Sequence, residues 1–217
     1  MDPITKYILN EGYLLSDKTI AVNLQDFESG KKNKLLLVGV MGSGKTTWAE
    51  FLSKNKAYMV DGRYPARLPR VKWISLDSLW WRIGQKHFKQ YTNKNMPKKA
   101  KAKMEELFSN EVYRFLNNNE RMIIEGISLV VDVFDIPKIK KSILKQPMII
   151  MGMSALRAGL RGGKRNMGRE GGEGWRELYW MPKINMREVE PDLKKFRKIV
   201  KGLPNVVIEP YEIPSLD

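Results

Sequence analysis

Eight consecutive residues restrict this chain more than any other feature: Gly39-Val40-Met41-Gly42-Ser43-Gly44-Lys45-Thr46 reads G-x-x-x-x-G-K-[ST] without a gap. A bare match of this kind can arise by chance in a glycine turn, so its surroundings decide. The apolar run Leu35-Leu36-Leu37-Val38 precedes it, as expected of a parallel strand buried on both faces, and Trp48, Phe51 and Leu52 follow at helical spacing. In a strand, glycine loop and helix so ordered, the glycines turn backbone N–H groups toward phosphate oxygens and the helix adds its positive N-terminal end. Lys45 then reaches the β- and γ-phosphates and Thr46 offers a hydroxyl to Mg²⁺. Gly39, Met41, Gly42, Ser43, Gly44, Lys45, Thr46 and Thr47 are the expected nucleotide contacts, with ATP and Mg²⁺ the expected cofactors.

With 217 residues and 42% hydrophobic side chains, the chain can bury a core and reads as one domain with insertions. It has no cysteine, which excludes disulfides, zinc–thiolate sites and iron–sulfur clusters; its single histidine, His87, leaves no basis for a histidine metal site or a Ser-His triad. No run approaches the roughly 20 apolar residues of a membrane helix, and the start Met1-Asp2-Pro3-Ile4 lacks a leader pattern, so the expectation is a soluble, cytoplasmic protein with no membrane partner.

The net charge of +15 points to polyanionic partners. Residues 86–103 hold seven lysines and no acid, and residues 148–189 hold eight basic and four acidic groups, so these two segments carry +11 of the excess. A lysine run is ordinarily a solvated loop. Here Lys86, Lys89, Lys94, Lys98, Lys99, Lys101 and Lys103 are interleaved with Phe88 and Tyr91, a mixture able to follow a phosphate backbone and stack on bases. Trp73, Trp80 and Trp81 lie nearby and read as core sooner than as a base platform, and His87 reads as a surface residue.

Further extended segments at Val71–Leu76, Met122–Ile124, Pro147–Met151 and Val206–Ile208 alternate with helical patterns. One helix carries Met104, Phe108, Val112 and Phe115; the last carries Leu193, Phe196, Ile199 and Val200, with Pro191 near its start and Gly202 past its end. The alternation predicts an α/β fold, a parallel sheet of about five strands flanked by helices. Residues 1–34 read as an accessory arm, and residues 35–217 as the main domain, with a basic insertion at 84–103 and a lid at 156–175.

Two acids fall at strand ends, the sheet edge where open α/β folds bind ligands. Asp77, after Ser75-Leu76, is placed to take the proton of an attacking hydroxyl as general base; the plainer alternative is a cap for a helix starting at Ser78 or Leu79, and Asp61 is a rival base. Glu125, after Met122-Ile123-Ile124, is placed to hold the water shell of Mg²⁺ or to contact an acceptor, or else to cap the next element. Residues 156–175 contain seven glycines and five basic residues. Arg157 and Arg161 are four apart and share a helix face, while Lys164, Arg165 and Arg169 lie among glycines that can flex. Such a segment reads either as a mobile surface loop or as a lid that closes guanidinium groups on a triphosphate.

On these residues the chain resembles the P-loop kinases of the nucleoside and nucleotide kinase superfamily. Gly42 through Ala49 is similar to the matching stretch of polynucleotide 5′-hydroxyl kinases and zeta-toxin-like phosphotransferases, densely over 35–56 and by pattern to about residue 208. The resemblance implies the P-loop NTPase fold, Asp77 as the base ending the second strand, a Glu-Gly pair at Glu125-Gly126, and arginines from a lid after the fourth strand, of which Arg157, Arg161 and Arg165 are the candidates. Motor ATPases usually carry Asp where this chain has Glu125. The expected function is an ATP-dependent kinase acting on a hydroxyl or phosphate of a nucleoside, nucleotide or nucleic-acid end. Alternatives are a nucleic-acid-dependent ATPase and a nucleotide-binding assembly protein without turnover. Oligomeric state is not legible.

Overall fold

The computed structural model describes residue 27 and residues 30–46, 49, 53, 71–91, 95–152, 155–167 and 176–208. Residues 1–26, Thr47, Trp48, Phe51, Leu52, Asp61, Lys94 and the second half of the expected lid lie outside them. The described residues form five strands: β1 Lys34–Val38, β2 Lys72–Ser75, β3 Met122–Glu125, β4 Met148–Ile150 and β5 Val206–Ile208. All pair in parallel in the order β2-β3-β1-β4-β5. The helices are α1 Leu76–His87, α2 Lys98–Asn117, α3 Ser128–Val131, α4 Pro137–Ile143, α5 Ala155–Met167, α6 Glu177–Ile184 and α7 Glu190–Val200, with a π-helical turn at Asn185–Val189 between the last two. This is the expected α/β architecture, a parallel sheet of five strands flanked by helices, with the glycine loop following its central strand.

β1 is buried at every position because it is central and both faces are covered. Leu36, Val38, Ile74, Met122, Ile124, Met148 and Ile150 belong to one core with Leu79, Ile83, Met104, Phe108 and Val112 of α1 and α2. Leu35, Leu37, Ile123 and Ile149 alternate with them and are also buried, on the opposite face. Edge-to-face aromatic pairs hold helices to this frame, Trp80 on Phe108 at 5.1 Å and Phe134 on Phe196 at 4.6 Å between ring centres. Among the described residues, no helix is long and apolar enough to cross a membrane.

Several expectations change. Lys34 belongs to β1, not to an arm, and its buried ammonium donates to the carbonyls of Asn118, at 2.8 Å, and Glu120. Phe27 is fully buried, with the Arg121 guanidinium 4.8 Å from its ring centre and donating to its carbonyl, so the end of the arm packs on the core. The basic insertion includes helix at both ends: residues 84–87 complete α1, and α2 begins at Lys98, six residues before Met104. Phe88 is buried and Tyr91 is packed against the same core, which removes Phe88 as a stacking surface and commits Tyr91 to packing. Ile199, placed on the buried face of the last helix by periodicity, is 42% exposed.

The largest revision concerns the glycines after β4. Residues 155–167 form regular helix, as the shared face of Arg157 and Arg161 implied, but it runs on through Lys164 and Arg165, and Gly159 and Gly162 in it serve close packing. A Cβ on Gly159 would lie 2.4 Å from Pro182 Cα and one on Gly162 would lie 2.6 Å from Met181 Cε, so α5 and α6 meet at backbone distance. Gly159→Ala is expected to lower unfolding stability by about 1–3 kcal/mol, the cost of forcing a methyl into a packed backbone contact, measured by urea denaturation.

Candidate functional site

The phosphate loop is built where β1 ends. Gly42 and Gly44 have φ of +85° and +91°, a left-handed backbone that side chains rarely adopt. Gly42 also lacks room for one, since its Cβ would lie 1.9 Å from the Ala158 carbonyl oxygen of α5. Gly39 is packed against Ser43 and Met151, and a Cβ there would fall 2.6 Å from Ser43 Oγ. The helix that follows opens at Lys45, whose buried ammonium turns back to donate to the Val40 carbonyl at 3.0 Å.

Register places the acids around this loop. Leu37 of β1 and Ser75 of β2 both pair with Glu125 of β3, so the three strand ends stand side by side. The Thr46 hydroxyl donates to Glu125 Oε1 at 3.1 Å, joining the loop to the neighbouring strand. Glu125 is 1% exposed, and its Oε2 is buried without a hydrogen-bond partner among the described residues. Burial pushes its pKa above the usual carboxylate value; the Lys45 charge and the Ser75 hydroxyl pull it back, the Asp77 charge raises it, and Thr46 lowers it slightly. A buried carboxylate with an unsatisfied oxygen beside a threonine hydroxyl is the donor set a hard divalent cation uses, so these residues fit the expected Mg²⁺.

Asp77 does not end β2. Ser75 occupies the cap position and Asp77 lies in the first turn of α1, exposed, with its carboxylate near the helix N-terminus. The cap reading at Ser78 or Leu79 therefore fails as well. Gly126, at φ +153°, brings the end of β3 against the start of α1, where a Cβ would lie 2.9 Å from Leu76 Cβ. Asp77 is thus near enough to influence both Glu125 and Asp132 of the turn after α3. Solvent reaches Asp132, yet its surroundings desolvate the carboxyl enough to raise its pKa; Ser128 lowers it, and the Asp77 and Glu105 charges raise it further. Asp132 borders a cleft of about 570 Å³ between α1, α2 and the α3–α4 segment, walled by Trp80, Phe108, Glu105 and Lys138.

On α5, Arg157 is exposed and Arg161 half-buried, and they share a face as their spacing requires. Arg165 is helical too, its side chain outside the described residues. Lys86, Lys89, Lys98, Lys99, Lys101 and Lys103 are all exposed, and the last two pair along α2 with Glu105 at 3.9 Å and Glu106 at 2.9 Å. Lys98 and Lys99 open a helix with no acid in its first turn, against the helix dipole, which leaves that end strongly positive.

Asn185 escaped sequence reading. It is fully buried in the π-helical turn, and its Nδ2 donates to the Met41 carbonyl at 2.8 Å and to the Ala155 carbonyl at 3.2 Å. One amide thereby ties the phosphate loop to the start of α5. The local signal was Pro182 inside a helical pattern, a break from which a π turn is one way out.

No family model matches the chain, and no curated protein matches it. Among solved structures, shikimate kinase from Bacteroides thetaiotaomicron is similar, with a TM-score of 0.45 and 16% identity over 75% of this chain and 81% of that chain.

Because the folded pKa of Glu125 is raised, the native state holds this proton more tightly than the unfolded chain does. The carboxyl's contribution to stability is complete below the ordinary glutamate pKa and is lost as pH rises through the folded value. Glu125→Gln is therefore expected to be at least as stable as wild type at pH 8, with the difference shrinking toward pH 4, measured by urea denaturation at both values.

Proposed function

We propose that the chain is an ATP- and Mg²⁺-dependent phosphotransferase, moving the terminal phosphate to a hydroxyl or phosphate of an acceptor bound beside Asp77. The observation that carries this reading is the convergence of Lys45, Thr46 and Asp77 on Glu125, where three parallel strands end side by side: Thr46 donates to its carboxylate, and Lys45 and Asp77 are close enough for their charges to act on it.

The loop from Gly39 to Thr46 binds the phosphates through backbone N–H groups. Lys45 exchanges the Val40 carbonyl for phosphate oxygens, and its ammonium neutralises their charge. Thr46 and Glu125 hold Mg²⁺, which when bound screens the negative charge of the transferring phosphate. Asp77 is solvent-accessible and next to the Gly126 turn, so it can take a proton from an acceptor hydroxyl without a rearrangement of α1. Arg157 and Arg161, with Arg165 further along α5, supply guanidinium charge to the phosphates from the helix that packs on Gly42. Asn185 keeps that helix and the loop in register.

The acceptor classes are a nucleoside, a nucleotide or a nucleic-acid end. The likeness of Gly42–Ala49 to polynucleotide 5′-hydroxyl kinases puts a 5′-hydroxyl first among them. The exposed lysines between Lys86 and Lys103, of which Lys101 is near enough to Asp132 for its charge to act on it, favour an acceptor that carries phosphate.

The test is transfer of labelled γ-phosphate from ATP·Mg²⁺ to a panel of nucleosides, nucleoside monophosphates and 5′-hydroxyl oligonucleotides. Label is expected in one class. Lys45→Ala is expected to lower transfer by about 10²-fold or more. Asp77→Asn is expected to bind ATP normally and to lose about 10²- to 10⁴-fold in kcat. Free phosphate released only with nucleic acid present would identify an ATPase instead, and no turnover with any partner would leave nucleotide binding alone.

A further inference from the structure

Sequence spacing put aromatic residues among cations on the segment from Lys86 to Lys103, where the structure packs them away. An exposed set stands elsewhere. On α6 and the residue before it, Arg176, Tyr179, Trp180 and Lys183 fall at i, i+3, i+4 and i+7, one face of a helix. The opposite face, Met181 and Pro182, is buried against Gly159 and Gly162 of α5. The stripe therefore points to solvent, with Tyr179 60% and Trp180 46% exposed. Burial at the core does not explain two large aromatic side chains there.

Three of the four side chains are arranged with respect to one another. The two rings meet edge-to-face at 5.7 Å, and the Lys183 ammonium stands 5.2 Å from the Tyr179 ring centre and 5.1 Å from that of Trp180. A cation carried on aromatic faces limits the rotamers of all three, so little freedom remains to be lost on binding. Exposed Met186 and Arg187 continue the surface into the π turn. None of the four stripe positions is acidic.

We propose that this solvent-facing stripe of α6 is a contact surface for single-stranded nucleic acid, with bases lying along Tyr179 and Trp180 and phosphates meeting Arg176, Lys183 and Arg187. Charge complementarity selects the partner: a polyanion suits a surface of cations on a chain of net charge +15. The rings narrow it further, because a base offers a flat face between successive phosphates and an acidic peptide does not. A membrane surface fits less well. Interfacial helices put cations and aromatic residues on opposite faces, whereas here they share one stripe that includes no Leu, Ile or Phe. The proposal goes beyond phosphotransfer and does not require it, since no stripe residue belongs to the phosphate site.

Fluorescence anisotropy of labelled (dT)15 and (rU)15 with the full chain tests it, alongside Lys45→Ala as a protein with an impaired phosphate loop. Wild type and Lys45→Ala are expected to bind alike. The double variant Tyr179→Ala/Trp180→Ala is expected to weaken binding at least about tenfold, and Tyr179→Phe/Trp180→Phe to restore most of it, since stacking needs a ring and not its polar tip. Arg176→Gln/Lys183→Gln is expected to reduce the slope of log K against log salt by about 1.4, two single-strand phosphate contacts. Matching thermal melts establish that the variants are folded. Unchanged affinity in the alanine double variant overturns the proposal, as does an absence of oligonucleotide binding, whether or not the chain binds vesicles of phosphatidylcholine and phosphatidylserine. Loss of binding in Lys45→Ala, with the stripe variants normal, would place the strand at the phosphate loop and overturn it too. Failed phosphotransfer with ring-dependent oligonucleotide binding would remove the phosphotransferase reading alone.

Discussion

The backbone of Gly42 lies against the Ala158 carbonyl, nearer than any side chain would allow, and the rest of the site depends on that approach. It sets α5 directly on the phosphate loop. α5 in turn lies on α6 through Gly159 and Gly162, and Asn185 beyond α6 returns to the loop through Met41. Loop, α5, α6 and π turn therefore form a closed circuit of backbone contacts with one buried amide as its clasp. An unpartnered buried carbonyl is costly, so an amide satisfying two of them resists displacement.

The second constraint is electrostatic. Glu125 is held in a buried place that disfavours its charge, opposed by Lys45 and supported by Thr46. A structure that existed only to be stable would fill this place with an apolar side chain. Retaining a carboxylate with an unmatched oxygen beside the glycine loop comes at some cost to the chain's own stability, the pattern expected of a functional position. Asp77 adds negative charge from the first turn of the adjacent helix and is exposed to solvent.

Positive charge is distributed on two different plans. Along α2 the lysines are solvated, and two of them pair with glutamates three and four residues on. Such exposed pairs add little to stability, about 0.3–0.5 kcal/mol each. On α6 the cations instead frame exposed rings, with Lys183 held over both. The first arrangement gives a general field and the second a shaped surface.

Much of this was already determined by the amino-acid sequence. Leu35 to Val38 is the apolar run expected of a buried strand, and the glycine spacing from Gly39 to Gly44 matches the turn that follows, so the glycine loop and the parallel sheet were legible. Glu125 at the end of a short apolar run was legible for the same reason: strand ends and loops are set by local pattern. What glycine does at a given place is not local. Gly162, just before Lys164, reads as freedom in one dimension, and only the neighbouring helix shows that it serves contact. Likewise Phe88 and the Tyr179–Trp180 pair are aromatic residues among cations in sequence, and burial alone separates the one from the other. Tertiary structure decided these because they depend on which surfaces meet across long stretches of chain, and Asn185 and Met41, 144 residues apart, meet only once the sheet has brought them together.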